Sequence, residues 1–149
     1  MGSLVLPSRY DGVILELTPV KHPFDGDFAV VPAWEAKLTA AGIEASAVCP
    51  ESESADQTLA EFFDELYDNI RGWEDVRHWE SHMGKMKLDV RHDGINTVHV
   101  AVALEGGGVT PRWHLVGDVF VDPGLFGPLA SKARIFAAES MPGAGADAG

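Results

Sequence analysis

The chain has 149 residues, and its hydrophobic fraction of 46% and charged fraction of 23% are those of one folded domain with a real core, not of a disordered chain. Lys and Arg number 11 against 23 Asp and Glu, a net charge of −12; such a surface repels phosphate backbones, which argues against nucleic acid, and favours encounter with a basic protein partner. Cys49 is the one cysteine, so no intramolecular disulfide forms. The chain's start has no signal-peptide pattern and no apolar run nears the ~20 residues of a membrane span, so a cytoplasmic protein with no membrane association is expected.

Residues 1–12 read as a loose lead-in to an Asp11-Gly12 turn. Val13, Leu15 and Leu17 alternate with Ile14, Glu16 and Thr18, a strand that Pro19 stops. Residues 21–27 form a polar loop punctuated by Pro23 and Gly26. Residues 33–41 admit two readings. Pro32 and Gly42 would bracket a short helix, whereas Trp34, Ala36 and Leu38, followed by Ile43, Ala45 and Ala47, keep strict parity. The hairpin is preferred because its second arm has no helical period.

Ser54 to Arg71 is the clearest helix. Ser54 and Gln57 have capping-box spacing, and Leu59, Phe62, Phe63, Leu66 and Ile70 form one apolar stripe. Arg71 suits the last turn and Gly72 a left-handed cap. The opposite face carries Glu61, Asp64, Glu65 and Asp68, a surface for a basic partner or simply a solvated one.

After a short strand over 78–83, two strands follow in which Met86, Leu88 and Val90, then Val98, Val100, Val102 and Leu104, share a face. A two-residue Asp93-Gly94 loop would put these rows on opposite faces. A three-residue loop with Gly94 left-handed pairs Val90 with Val98 and Leu88 with Val100, and is expected. Gly106-Gly107-Gly108 turns the chain into a strand through Trp113, Leu115, Val119 and Val121, and 123–140 is a helical turn followed by a helix, starting near Gly127. The expected architecture is a single α+β domain over 1–140: an antiparallel sheet of about six strands, two helices on one face, in the order strands, helix, strands, helix. The Gly- and Ala-rich residues 141–149 read as a disordered tail.

No nucleophile–base pair stands out, no catalytic residue is assigned, and no cofactor is expected. Cys49, beside Glu51 and Glu53, reads as a core thiol. Two groups have metal-ligand character. If Leu104 pairs with Trp113, the registers align Asp89, His99 and Asp118 in one row across the polar face. On a strand, His78, Glu80 and His82 also share a face. The simpler reading of the first is a solvated charge row that steadies strand pairing, and of the second a polar strand face whose other side buries Trp79. Trp73 and Trp79 flank the helix-to-strand corner, where a pocket would lie if the tryptophans do more than fill the core.

Gly72-Trp73-Glu74, Trp79-Glu80-Ser81, Leu88, His92-Asp93-Gly94 and Val98-His99-Val100 together resemble a family of short bacterial proteins described only as a domain of unknown function, with Asp75 where that pattern has a glycine. The resemblance covers roughly residues 13–139 and brings no reaction or ligand. The size, acidity and α+β layout are also similar to immunity proteins that bind and block bacterial toxins. From these features a non-enzymatic acidic binding protein is expected, with a metal-binding protein or metal-dependent enzyme as the alternative.

Overall fold

The structure, a computed structural model, describes residues 3–10, 12–20, 33–50, 58–81, 85–106 and 113–140. In chain order it has four strands, β1 (Leu4–Pro7), β2 (Ile14–Val20), β3 (Ala33–Ala40) and β4 (Ile43–Pro50), then α1 (Leu59–Asp68). Four more strands follow, β5 (Arg77–Glu80), β6 (Met86–His92), β7 (Val98–Gly106) and β8 (Trp113–Val121), and a 3-10 turn at Pro123–Leu125 leads into α2 (Phe126–Ser140).

The single six-stranded sheet is replaced by two antiparallel four-stranded sheets, ordered β1-β2-β3-β4 and β5-β6-β7-β8. Each is a meander in which every strand pairs with its sequence neighbour. Their inner faces share one apolar cluster, with Leu15, Leu17, Trp34 and Ala36 from the first and Leu88, Val100, Val102 and Val119 from the second. Leu38 of β3 lies so close over Gly117 of β8 that a Cβ there would meet it at 2.7 Å. Backbone and side-chain bonds also join the sheets where Arg9 N–H donates to Phe120 O at 2.9 Å and Phe120 N–H to Ser8 Oγ at 3.1 Å. Both helices reach the same cluster, through Phe62, Phe63 and Leu66 of α1 and Leu129, Ala130 and Ala133 of α2. Phe63 packs on Phe126 at 5.7 Å between ring centroids.

The 33–50 hairpin is present, with a two-residue Ala41-Gly42 loop and Gly42 at φ 79°. Other expectations need correction. The lead-in contains β1, whose Leu4 and Leu6 are fully buried against Leu17 and Leu15. Three alternating residues were too short a signal to separate from a loop. Pro19 does not end β2, which runs to Val20 with Pro19 opposite Trp34. The helix is shorter than 54–71. Thr58 caps it, donating its N–H to Glu61 Oε1 and accepting the Glu61 N–H on Oγ1, while Ser54 and Gln57 lie outside the described residues. Asn69, not Gly72, is the C-cap, so Arg71 falls beyond the last turn. The strand expected over 78–83 spans 77–80.

The β6–β7 turn keeps the expected parity but is two residues longer. Val90 pairs with Val100, Leu88 with Val102 and Met86 with Leu104. Asp93 is the cause: its Oδ1 accepts the backbone N–H groups of Ile95, Asn96 and Thr97 at 2.7, 2.9 and 3.1 Å, which wraps a wider loop around one carboxylate.

Candidate functional site

The outer face of the second sheet carries most of the polar residues singled out above, and the registers order them in rows. His78, Asp89, Ala101 and Asp118 form one row; Glu80, Lys87, Ala103 and Val116 a second; Arg91, His99 and Phe120 a third. The expected Asp89–His99–Asp118 row is therefore split. The longer turn shifts β7 by two residues against β6, so Asp89 lies opposite Ala101. β7 and β8 are also two residues out from the expected register, Leu104 pairing with Leu115 and not with Trp113, so His99 lies opposite Phe120 and not Asp118.

Two separate imidazole–carboxylate groups result. His78 is held on both sides, Nδ1 to Asp89 Oδ1 at 2.6 Å and Nε2 to Glu80 Oε2 at 3.2 Å. The hydrogen bond to Asp89 and the nearby Glu80 raise its pKa above the ordinary 6.5, with partial burial opposing them. His99 reaches Asp118 diagonally, Nε2 to Oδ1 at 2.8 Å, and its ring stacks on Phe120 at 4.7 Å and 13°. Tyr10 lies against the same phenylalanine at 5.8 Å. Phe120 was missed as a site residue, although its outward parity in β8 was available. A ring with both nitrogens on carboxylates has no lone pair turned toward a metal, and among the described residues no group of three or more His, Cys, Asp or Glu side chains converges on a metal position. His82 lies outside the described residues.

The Trp73 corner is built by the His92-Asp93-Gly94 segment. The His92 side chain is buried, 1% exposed. Nε2 donates to Ile70 O at 2.9 Å and Nδ1 accepts the Gly94 N–H at 2.8 Å, a geometry that requires the proton on Nε2. Trp73 meets the His92 ring edge-on at 5.1 Å and donates Nε1–H to Val90 O at 3.3 Å. Gly72 sits beside the ring at φ 138°, and a Cβ there would lie 3.5 Å from His92 Nδ1. Trp79 does not join this corner: it is 3% exposed and stacks on Phe62 at 6.5 Å inside the core. Ser81 is buried too, and its Oγ accepts the Met86 N–H at 2.9 Å. The conspicuous tryptophans and the His-Asp-Gly segment thus hold structure together.

The acidic face of α1 is partly used within the fold. Asp64 accepts Arg134 of α2 on both oxygens at 2.8 and 2.7 Å, and Glu65 pairs with Arg77 of β5 at 3.2 Å. Glu61 closes the capping box. Glu61 and Asp68 remain exposed, and Glu74, Asp75 and Val76 continue the exposed surface beyond the helix. Asp75 is the one described non-glycine residue at positive φ, 63°.

Cys49 is fully buried, and burial pushes its thiol up to about 12, opposed by its hydrogen-bonding neighbours Ser81 and Ala36. It is a core thiol with no thiolate character. A shallow cleft of about 470 Å³ opens between Ile43–Ser46 of β4 and Trp113–Leu115 of β8. A second, of about 250 Å³, continues it past Val48 toward Lys85 and Glu105. No described helix is long and apolar enough to cross a membrane.

No match was found among curated proteins or solved structures. The model of DUF6228, a family of unknown function, matches residues 20–140, most of the chain and all of the elements from β3 to α2. The chain belongs to the DUF6228 family.

Proposed function

We propose that this protein is a non-enzymatic acidic binding protein whose partner is a protein with a basic surface, an immunity-like blocker of a toxin being one version. The observation that carries the reading is the exposed acidic surface running from α1 into the following loop, with Glu61, Asp68, Glu74 and Asp75 exposed on a chain of net charge −12. Tyr67 and Val76, 44% and 38% exposed, add apolar area to it. Carboxylates rimming apolar anchors suit a lysine- or arginine-rich surface, steering the encounter over a Debye length of ~10 Å. Asp64 and Glu65 hold α1 to α2 and β5 and contribute through the field only. The test is capture of a basic partner by immobilised protein, repeated at rising ionic strength. Retention that weakens with salt supports the reading, and retention indifferent to salt opposes its electrostatic part.

The alternative reading, a metal-binding protein or metal-dependent enzyme, needs His78 to release Asp89 or Glu80, because both its ring nitrogens are held by those carboxylates. A melting temperature that rises with zinc or nickel, and no longer does so in Asp89→Asn, would favour it over partner binding.

A further inference from the structure

We propose that β4 is a self-pairing edge, through which two copies of this chain join their first sheets into one continuous antiparallel sheet. β4 is the last strand of its sheet, eight residues long, and among the described residues its backbone bonds only to β3. An unpaired edge of this length is a template for another strand. Before its last residue, Pro50, the strand carries a single charge, Glu44, which is held by Lys37 at 2.7 Å, and Ile43 and Val48 are 52% and 42% exposed. Beside the edge runs the double cleft, with Ser46 and Trp113 common to both halves.

The chemistry of the cleft selects a second copy. Its ends differ, with Glu44 and His114 at one and Lys85 and Glu105 at the other. A two-fold axis at Ser46 pairs β4 with itself: Ser46 meets its mate, Ala45 meets Ala47, and Glu44 meets Val48. The same rotation brings the Glu44 and His114 end of each copy to the Lys85 and Glu105 end of the other, which sets Glu44 toward Lys85 and His114 toward Glu105 at both ends. The two Trp113 rings come together near the axis. Such an interface is isologous and closes at two copies.

Sedimentation velocity and a designed cross-link test this. The wild-type chain is expected to sediment as a dimer at concentrations of about 10–100 µM, an affinity class in reach of one strand pairing with a small apolar patch. Val48→Lys should give a folded monomer, while Val116→Lys, an exposed position on the outer face of β8, should remain dimeric. Oxidised Ser46→Cys should form a covalent dimer, because directly opposed residues of an antiparallel pair lie ~4.5–5.5 Å apart, within disulfide reach. If Val48→Lys fails to fold, the Ser46→Cys result decides alone. A wild-type monomer throughout, a dimer that survives in folded Val48→Lys, or no Ser46→Cys cross-link would overturn the proposal; a monomer that instead takes up extended peptides along β4 would assign the edge to a foreign strand.

Discussion

The Nε2 of His92 lies 2.9 Å from the carbonyl oxygen of Ile70, and this bond fastens the loop leaving α1 to the end of β6. Two elements far apart in sequence meet through one buried imidazole, with Trp73 against its edge and the Gly94 N–H on its other nitrogen. Replacing it removes partners from a buried carbonyl and a turn N–H together. His92→Ala is expected to lower stability by about 2–4 kcal/mol in urea unfolding, the cost of two hydrogen bonds and lost packing. Proton and nitrogen NMR of the wild-type ring should show the proton on Nε2.

Gly106 makes room for an indole. A Cβ at this position would lie 2.2 Å from the Trp113 ring, its cross-strand partner. Gly106→Ala must push the ring aside, at a cost of about 1–3 kcal/mol, and the tryptophan emission should shift as Trp113 moves toward water. An unchanged spectrum and stability would mean that the strand end yields instead.

Asp75 holds a left-handed backbone that glycine adopts freely. Asp75→Gly should stabilise the chain by up to about 1 kcal/mol, since the relief of strain exceeds the entropy that glycine adds to the unfolded state. Thermal melting checks the sign.

Two groups give stability opposite dependences on pH. His78 has a raised pKa, so its contribution is complete below about 6.5 and is lost as pH rises through the higher folded value. Asp93 has a lowered pKa, first from the Ile95 and Thr97 amides, so its contribution is present above 3.8 and is lost as pH falls through the lower folded value. Both groups face solvent, which keeps each effect small. Asp89→Asn should bring the His78 titration, followed by NMR, back toward the ordinary value.

Much of this fold was legible in the sequence. The 33–50 hairpin followed from parity, the α1 stripe from its period, and the buried faces of β6, β7 and β8 from alternation. Register was not. Alternation identifies which face a residue takes but not which neighbour it meets, and the three amides that Asp93 gathers lengthened the loop by two residues without changing parity. That slip separated Asp89 from His99, and a second one, Leu104 pairing with Leu115 and not with Trp113, moved Asp118 from opposite His99 to its diagonal, leaving two imidazole–carboxylate groups where one row was expected. The division into two sheets was also hidden, because a strand's pattern shows that one side is buried and not what buries it. His92, read only as part of a turn, gave no sign that its ring would reach Ile70.

The central claim, that the acidic surface from α1 into the loop before β5 docks a basic protein, is tested most directly by calorimetric titration of a captured partner into the wild-type chain and into the folded triple variant Glu61→Lys, Asp68→Lys, Glu74→Lys. At low salt the variant should bind at least about tenfold more weakly, the scale of a few kcal/mol spread over opposed charges. Equal affinity for the two proteins would contradict the account and move the binding surface elsewhere on the molecule.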